Sequence, residues 1–348
     1  MLKPQTLLAG RYLIERQIDK GGMNLIYIAK DLRNPEIRIA VKEFDASKDA
    51  SKDNAGQTSI RLQMLKQEAL LLSKIHHPNI VDIKDVIATK TSLCVVTEYL
   101  EGKTLQKLIA ENGALSEETT LSYLRQMCSA LAYLHSQKPP IIYRDMKPGN
   151  CMVLPDGTLK LLDLGIAREY KANAQTNQDT IAFGTLGYAP PEQYGNAQTD
   201  ARADIYALGV SVWHMLSGNV PPHCFPLPNL STAAPAASAV FERLIKKCTQ
   251  PDPDNRFQSI EELRTFVEQE SLYESATEDT NAQDSDALLP NSNAQVSAPR
   301  STGSNTVSQA QKHPRNKDII TKEISPKSSS FSFIIKYEEI VVHAHEKF

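Results

Sequence analysis

The fold is decided by Tyr143-Arg144-Asp145-Met146-Lys147-Pro148-Gly149-Asn150 and the residues after it: Cys151-Met152-Val153-Leu154, Pro155-Asp156-Gly157-Thr158, Leu159-Lys160-Leu161-Leu162 and Asp163-Leu164-Gly165. Asp-Gly between two apolar runs signals a tight hairpin. With Asp156-Gly157 as a two-residue loop, Pro155 faces Thr158, and in the same register Asn150 faces Asp163. Two oxygen-bearing side chains then meet at the open end of the hairpin. That is a seat for Mg²⁺, a hard cation that takes oxygen ligands and usually shares them with phosphate. Polar groups at strand ends are commonplace, so a plain hairpin end is the alternative. The packing of Asp145, Lys147, Asn150 and Asp163 around one hairpin favours the site.

Upstream, short strands separated by turns are expected at Arg11–Ile18, Leu25–Lys30 and Ile37–Phe44. Asp45–Gln57 is polar and reads as an exposed loop. Ile60–Ile75 has helical periodicity and is broken by His76-His77-Pro78-Asn79. Strands follow at Val81–Ala88 and Ser92–Tyr99. After Gly102 the texture turns helical. Ser116 with Glu117 and Glu118 marks a helix start, and Leu121, Leu124, Met127, Cys128, Leu131 and Leu134 form its buried face. Asp204–Ser217 is apolar on nearly every side, as a central helix must be. Helical patterns recur at Ala237–Cys248 and Ser259–Glu270. The fold class expected is α+β in two lobes, an antiparallel sheet plus one helix over about residues 1–100 and a mainly helical lobe over about 101–270.

Lys42 ends the apolar run Ile39-Ala40-Val41. On the following helix Met64, Glu68 and Leu72 share a face through their spacing of four. A carboxylate between apolar neighbours is costly without a cation, and Lys42 is the candidate partner. A Glu68 at the helix edge, reaching water, is the equal alternative.

The order of these elements resembles the protein kinase superfamily, in its bacterial, eukaryotic-like (Hanks-type) serine/threonine branch, from about Gly10 to about Glu270. The family pattern is a Gly-rich loop, a strand lysine, H-R-D with an Asn, D-F-G and A-P-E. Lys42 matches the lysine, Glu68 the helix glutamate, Asp145 the catalytic aspartate and Asn150 the metal asparagine. Asp163-Leu164-Gly165 stands for D-F-G, and Ala189-Pro190-Pro191-Glu192 for A-P-E. The resemblance implies ATP as phosphoryl donor, Mg²⁺ on Asn150 and Asp163, and protein hydroxyls as acceptors. It implies that Lys42, oriented by Glu68, holds phosphate and that Asp145 accepts the hydroxyl proton. Lys147, in the serine/threonine-type Met146-Lys147-Pro148 step, contacts the transferred group. It also implies an adenine pocket of Ile18, Gly21, Gly22, Ile26, Ala40, Thr97, Glu98, Leu100 and Met152. Asp204 would steady the catalytic loop, and Glu192 would pair with Arg256. Arg144 before Asp145 implies a loop switched by phosphate, with Thr176 and Thr180 as candidate sites and a transient dimer for autophosphorylation. Thr185 would support the site where Lys147 contacts the transferred phosphate.

The pattern is not complete. In Ile18-Asp19-Lys20-Gly21-Gly22-Met23-Asn24-Leu25-Ile26, Asp19 and Asn24 stand where the family has glycines. Glycine lets backbone N–H groups approach phosphate with no Cβ in the way, so weaker nucleotide binding is expected. Tyr143 replaces the His of H-R-D, and Leu164 the Phe of D-F-G; both are packing positions. The competing reading is a pseudokinase, a nucleotide-binding or scaffold module.

Apolar residues make up 41% of the 348, enough for a large core, and the formal net charge is −3. That near-balance gives no argument for nucleic acid. No run approaches the roughly 18 apolar residues of a membrane span. The five cysteines lack metal or redox spacing, which points to a reducing cytoplasmic setting. From Ser271 to the end at residue 348 the composition becomes that of a disordered tail, with a short apolar stretch at Phe331–Val342.

Overall fold

Alternating apolar residues in the N-terminal part build a six-stranded antiparallel sheet. The strands are β1 (Leu7–Leu8), β2 (Tyr12–Lys20), β3 (Asn24–Asp31), β4 (Asn34–Asp45), β5 (Ile83–Ala88) and β6 (Ser92–Glu98), in the order β1-β2-β3-β4-β6-β5. A computed structural model of the chain describes residues 1–20, 24–45, 55–89, 92–163, 187–194, 199–222 and 226–270. All of these lie within one compact unit, Met1–Leu288. The period of two divides the sheet cleanly. Ile39 and Val41 of β4, with Cys94 and Val96 of β6, turn to one small core with Tyr12, Ile14 and Tyr27. Ala40 and Lys42 turn to the opposite face. Helix α1 (Ala55–Leu72) lies between β4 and β5, and its Leu62, Leu65, Ala69 and Leu72 enter the main core.

The remainder is mainly helical. β7 (Lys103–Thr104) leads into α2 (Leu105–Asn112) and α3 (Glu117–His135). Ser116 caps α3 by accepting from the Thr119 amide, and Glu117 and Glu118 fill its first turn. Of the face expected to be buried, Leu124, Met127, Cys128, Leu131 and Leu134 are buried, while Leu121 is half-buried. The hairpin β8 (Cys151–Val153) and β9 (Leu159–Leu161) joins β7 in a small sheet. α4 (Ala201–Ser217) is buried from Ala203 to Leu216, as an all-round apolar helix requires. Its Gly209 packs so closely on Cys248 that any β-carbon there would overlap the cysteine's. α5 (Leu230–Ala233), α6 (Ala239–Cys248) and α7 (260–270) complete the lobe.

Three expectations are corrected. α1 begins at Ala55, inside the expected loop. Ala55-Gly56-Gln57 carries no apolar periodicity to reveal it, and the helix extends back through it from the apolar repeat that follows. Pro140-Ile141-Ile142, which reads as strand-like in the sequence before Tyr143, is not a strand. Pro139 and Pro140 lack N–H donors, and the Ile141 amide instead donates to Leu134 O at the end of α3.

The third correction concerns the hairpin. Its register pairs Cys151 with Leu161 and Val153 with Leu159, one residue away from the two-residue loop. The Gly157 amide donates to Leu154 O, and the Leu154 amide to Thr158 O. Gly157 takes a φ of 83°, so the connection is a three-residue loop that ends on a left-handed glycine. Asn150 therefore stands opposite Leu162, whose amide donates to Asn150 O at 2.9 Å, and not opposite Asp163.

Candidate active site

The slipped register still brings Asn150 and Asp163 to one place. β9 ends at Leu161 and the strand pairing does not reach Asp163, while Pro148–Asn150 form a 3₁₀ turn before β8. Both side chains therefore leave the pleat and line a single cavity of about 340 Å³. The same cavity is lined from the sheet by Ile18, Ile26, Ala40, Lys42 and Thr97, from the connection between the lobes by Glu98, Tyr99 and Leu100, and from the hairpin by Met152. Val81, Ile83, Val95 and Leu162 add apolar wall that sequence reasoning missed. They are ordinary apolar residues in strands (Ile83, Val95) or just outside them (Val81, Leu162), and nothing in the sequence marks them. Gly21, Gly22, Thr176, Thr180 and Thr185 lie outside the described residues, as do Leu164 and Gly165.

The charged groups are arranged in two linked sets. Lys42 Nζ pairs with Asp163 Oδ2 at 2.6 Å. Glu68 is half-buried on α1, and no ion pair between it and Lys42 occurs among the described residues. Asn150 donates through Nδ2 to Asp145 Oδ2 at 2.8 Å and to Asp145 O at 2.9 Å. Lys147 Nζ lies 3.1 Å from the same Asp145 oxygen. The amide nitrogen of Asn150 is thus committed to Asp145, leaving its carbonyl oxygen as the group for a cation. One carboxylate and one amide oxygen suit Mg²⁺, which keeps several waters and takes further oxygens from phosphate.

The loop carrying Asp145 is held from beneath. Asp204, fully buried on α4, accepts from the main-chain amides of Tyr143 at 2.8 Å and Arg144 at 2.6 Å. His135 Nε2 is 2.8 Å from Asp204 Oδ2; facing a carboxylate, that nitrogen carries the proton. Arg144 has φ 63°, an uncommon conformation for a side chain with a Cβ, costing on the order of 1–3 kcal/mol. The two amide bonds to Asp204 hold it there. Sequence reasoning missed His135, whose only signal is its place at the end of α3.

Two further contacts frame the cavity. Glu98 Oε1 accepts from Lys160 Nζ at 2.6 Å and from the Asp82 amide at 2.9 Å. Because Lys160 is opposite Met152 in the hairpin, this ion pair ties the connection between the lobes to the strand forming the cavity floor. Farther out, Arg256 donates to both carboxylate oxygens of Glu192, at 2.7 and 2.8 Å. Beside it, the Tyr188 hydroxyl lies 2.5 Å from His214 Nδ1. Burial lowers the pKa of that histidine to about 4.

Residues 12–267 match the family described as the protein kinase domain. The probable serine/threonine-protein kinase PknB of Lactococcus lactis subsp. lactis (strain IL1403) is 29% identical over 279 residues, covering 77% of this chain and 43% of that protein. The serine/threonine-protein kinase PrkC of Bacillus subtilis (strain 168) is 30% identical over 273 residues, covering 75% and 40%. The chain therefore spans about two fifths of the length of these curated relatives. Among solved structures, the PknI kinase domain of Mycobacterium tuberculosis matches with a TM-score of 0.61 at 24% identity, covering 77% of this chain and 99% of that one, a likeness of fold. On the family match and the two-lobed fold, the chain belongs to the protein kinase family, beside the bacterial, eukaryotic-like serine/threonine kinases.

Proposed function

We propose that the chain transfers the γ-phosphoryl group of ATP to serine and threonine hydroxyls of proteins. The observation that carries this reading is the convergence of Lys42, Asn150 and Asp163 on one apolar-walled cavity, with Asp145 and Lys147 joined to Asn150 at its edge. Adenine fits between Ala40 and Met152, against the backbone of Glu98–Leu100 and with Thr97 behind it. Asn150 and Asp163 would hold Mg²⁺, which would neutralise charge on the β- and γ-phosphates. Lys42 then leaves Asp163 for the phosphates, and Glu68 becomes its counter-ion. Asp145 orients the acceptor hydroxyl and takes its proton, while Lys147 stabilises charge on the moving group. Catalysis of this kind is positioning and electrostatics.

We assign the catalytic domain to residues 1–270, with 271–348 as a tail, and place the protein in the cytoplasm. The four described cysteines are buried free thiols, in keeping with a reducing compartment. Among the described residues no helix is long and apolar enough to cross a membrane. Thr176 and Thr180 are proposed as autophosphorylation sites, acting through Arg144 in a transient dimer, and Thr185 as support for the catalytic loop. Phosphopeptide mapping of active protein tests this; both threonines unmodified would refute it. The pseudokinase reading is weakened by the presence of Lys42, Glu68, Asp145, Asn150 and Asp163 together. Incubation with labelled ATP, Mg²⁺ and a generic protein substrate tests the activity, beside Asp163→Asn. Labelling by the native protein alone is expected. Equal labelling in both would refute the mechanism, and labelling in neither would favour the scaffold.

A further inference from the structure

Lys42 has a second neighbour besides Asp163. Its Nζ lies over the ring of Phe44, 5.2 Å from the centroid. The two residues are next but one along β4, so they stand on the same face of the sheet. Phe44 is buried in the main core, which also holds Leu62, Leu65 and Ala69 of α1. Lys42 lines the cavity and Phe44 does not. The ring therefore backs the ammonium without meeting a ligand in the cavity.

Burial alone asks only for an apolar side chain of about this size. An aromatic ring adds a face of negative potential, which attracts a cation within about 6 Å of its centroid. The attraction grows as water is excluded, and the Lys42 side chain is only 21% exposed. Carboxylate and ring act on the ammonium differently. Asp163 neutralises Lys42 at 2.6 Å, and under the proposed function the metal draws that carboxylate away. The ring is fixed in the core and cannot follow. It carries no net charge, so it holds the ammonium while leaving its charge for phosphate.

We propose that Phe44 is a positioning residue for Lys42: its ring face keeps the ammonium at the cavity wall once Asp163 turns to the metal, and so strengthens nucleotide binding. This rests on the reading of Lys42 as the phosphate-binding cation.

Fluorinated phenylalanines at position 44 test it, because fluorine drains charge from the ring face and leaves an apolar ring in place. Mono-, tri- and pentafluorophenylalanine are compared with the native ring, beside Phe44→Leu, each with Lys42 and with Lys42→Met. Calorimetry gives the dissociation constant of a non-hydrolysable ATP analogue with Mg²⁺, and melting without ligand reports on the fold. Binding should weaken stepwise with fluorine, reaching about threefold to tenfold at pentafluorophenylalanine, the scale of one cation–ring attraction. The KM for ATP should rise by a like factor, with kcat changed less. In Lys42→Met the series should have no effect on binding. Unchanged affinity across the fluorinated series would overturn the proposal, as would a weakening that persists in Lys42→Met. Weakening in Phe44→Leu alone would mean packing and no more, and overturns it equally. If Phe44→Leu does not fold, the fluorinated series decides by itself. A native protein that binds the analogue but transfers no phosphate would refute the proposed activity and leave this comparison decisive. One that binds no nucleotide would remove the reading of Lys42, and this inference with it.

Discussion

Lys42 Nζ and Asp163 Oδ2 lie 2.6 Å apart and join strand β4 to the end of the hairpin across 121 residues of sequence. Each neutralises the other, so under the proposed function nucleotide and metal would have to draw them apart. Their side chains are 21% and 32% exposed, and a partly solvated pair of this kind contributes only about 0–1 kcal/mol to stability. Lys42→Met should therefore lower kcat/KM about a hundredfold or more, the scale of losing a charge that stabilises the transition state. It should hardly move the unfolding midpoint. Kinetics and urea denaturation on the same preparation check both halves. A large loss of stability would make the lysine structural first and chemical second.

Asp204 has the opposite character. It is fully buried and accepts from two main-chain amides and an imidazole. Asp204→Ala leaves all three without a partner and frees Arg144 from its left-handed conformation. A loss of roughly 3–5 kcal/mol is expected, the range for breaking a buried charged network. Chemical denaturation measures it directly. A loss below about 1 kcal/mol would show that solvent or a neighbouring group replaces the carboxylate.

These two residues also show what the sequence makes legible. Asn150 and Asp163 stand out because the hairpin brings two oxygen-bearing side chains to one end, whereas Asp204 is legible only through the family resemblance, and its bonds to the Tyr143 and Arg144 amides agree with the steadying role that this implies. Ser116 was found because a helix cap is a local event. The hairpin itself was legible, but its register was not. Whether Asp-Gly forms a two- or three-residue loop depends on Gly157 adopting a left-handed φ, and a one-residue difference exchanges every facing pair. The partners of the charged groups were the least legible part. Glu98 with Lys160, and Asp204 with His135, are separated by 62 and 69 residues. Only tertiary packing brings them together. Helix spacing alone left Lys42 with Glu68 at even odds and gave no sign of the Lys42–Asp163 pair, which spans 121 residues.

Arg256 offers a sharper test of side-chain geometry. Its side chain is 0% exposed. It donates to both Glu192 oxygens and to the carbonyls of Gln250, Arg202 and Pro251. Its guanidinium also lies over the Tyr206 ring, 4.9 Å from the centroid. Lysine keeps the charge but has three donors on one nitrogen and no planar fork. Arg256→Lys should therefore destabilise the domain by about 2–4 kcal/mol. A double-mutant cycle with Glu192→Gln, read by chemical denaturation, should show strong coupling. Additive effects would mean that the main-chain carbonyls, and not Glu192, hold the arginine.

The last prediction concerns acid stability. His214 is 3% exposed, and burial lowers its pKa from the ordinary 6.5 to about 4. With Nδ1 accepting from the Tyr188 hydroxyl, the neutral ring carries its proton on Nε2. The unfolded chain binds a proton at this position near pH 6.5, while the folded chain resists until about pH 4. Proton uptake therefore favours unfolding in that window. The group has no effect on stability above the unfolded pKa, destabilises progressively as pH falls through the interval, and adds nothing further below the folded pKa. At about 1.4 kcal/mol per pH unit, the loss reaches roughly 2–3 kcal/mol at the acid end. Carboxylates contribute their own acid loss, so the measurement is a difference. Urea denaturation of native protein and His214→Gln from pH 7 to pH 4.5 should show the native curve falling more steeply, by roughly that amount. Parallel curves would mean that the imidazole is hydrated in the folded state and that the Tyr188 contact does not exclude water from it.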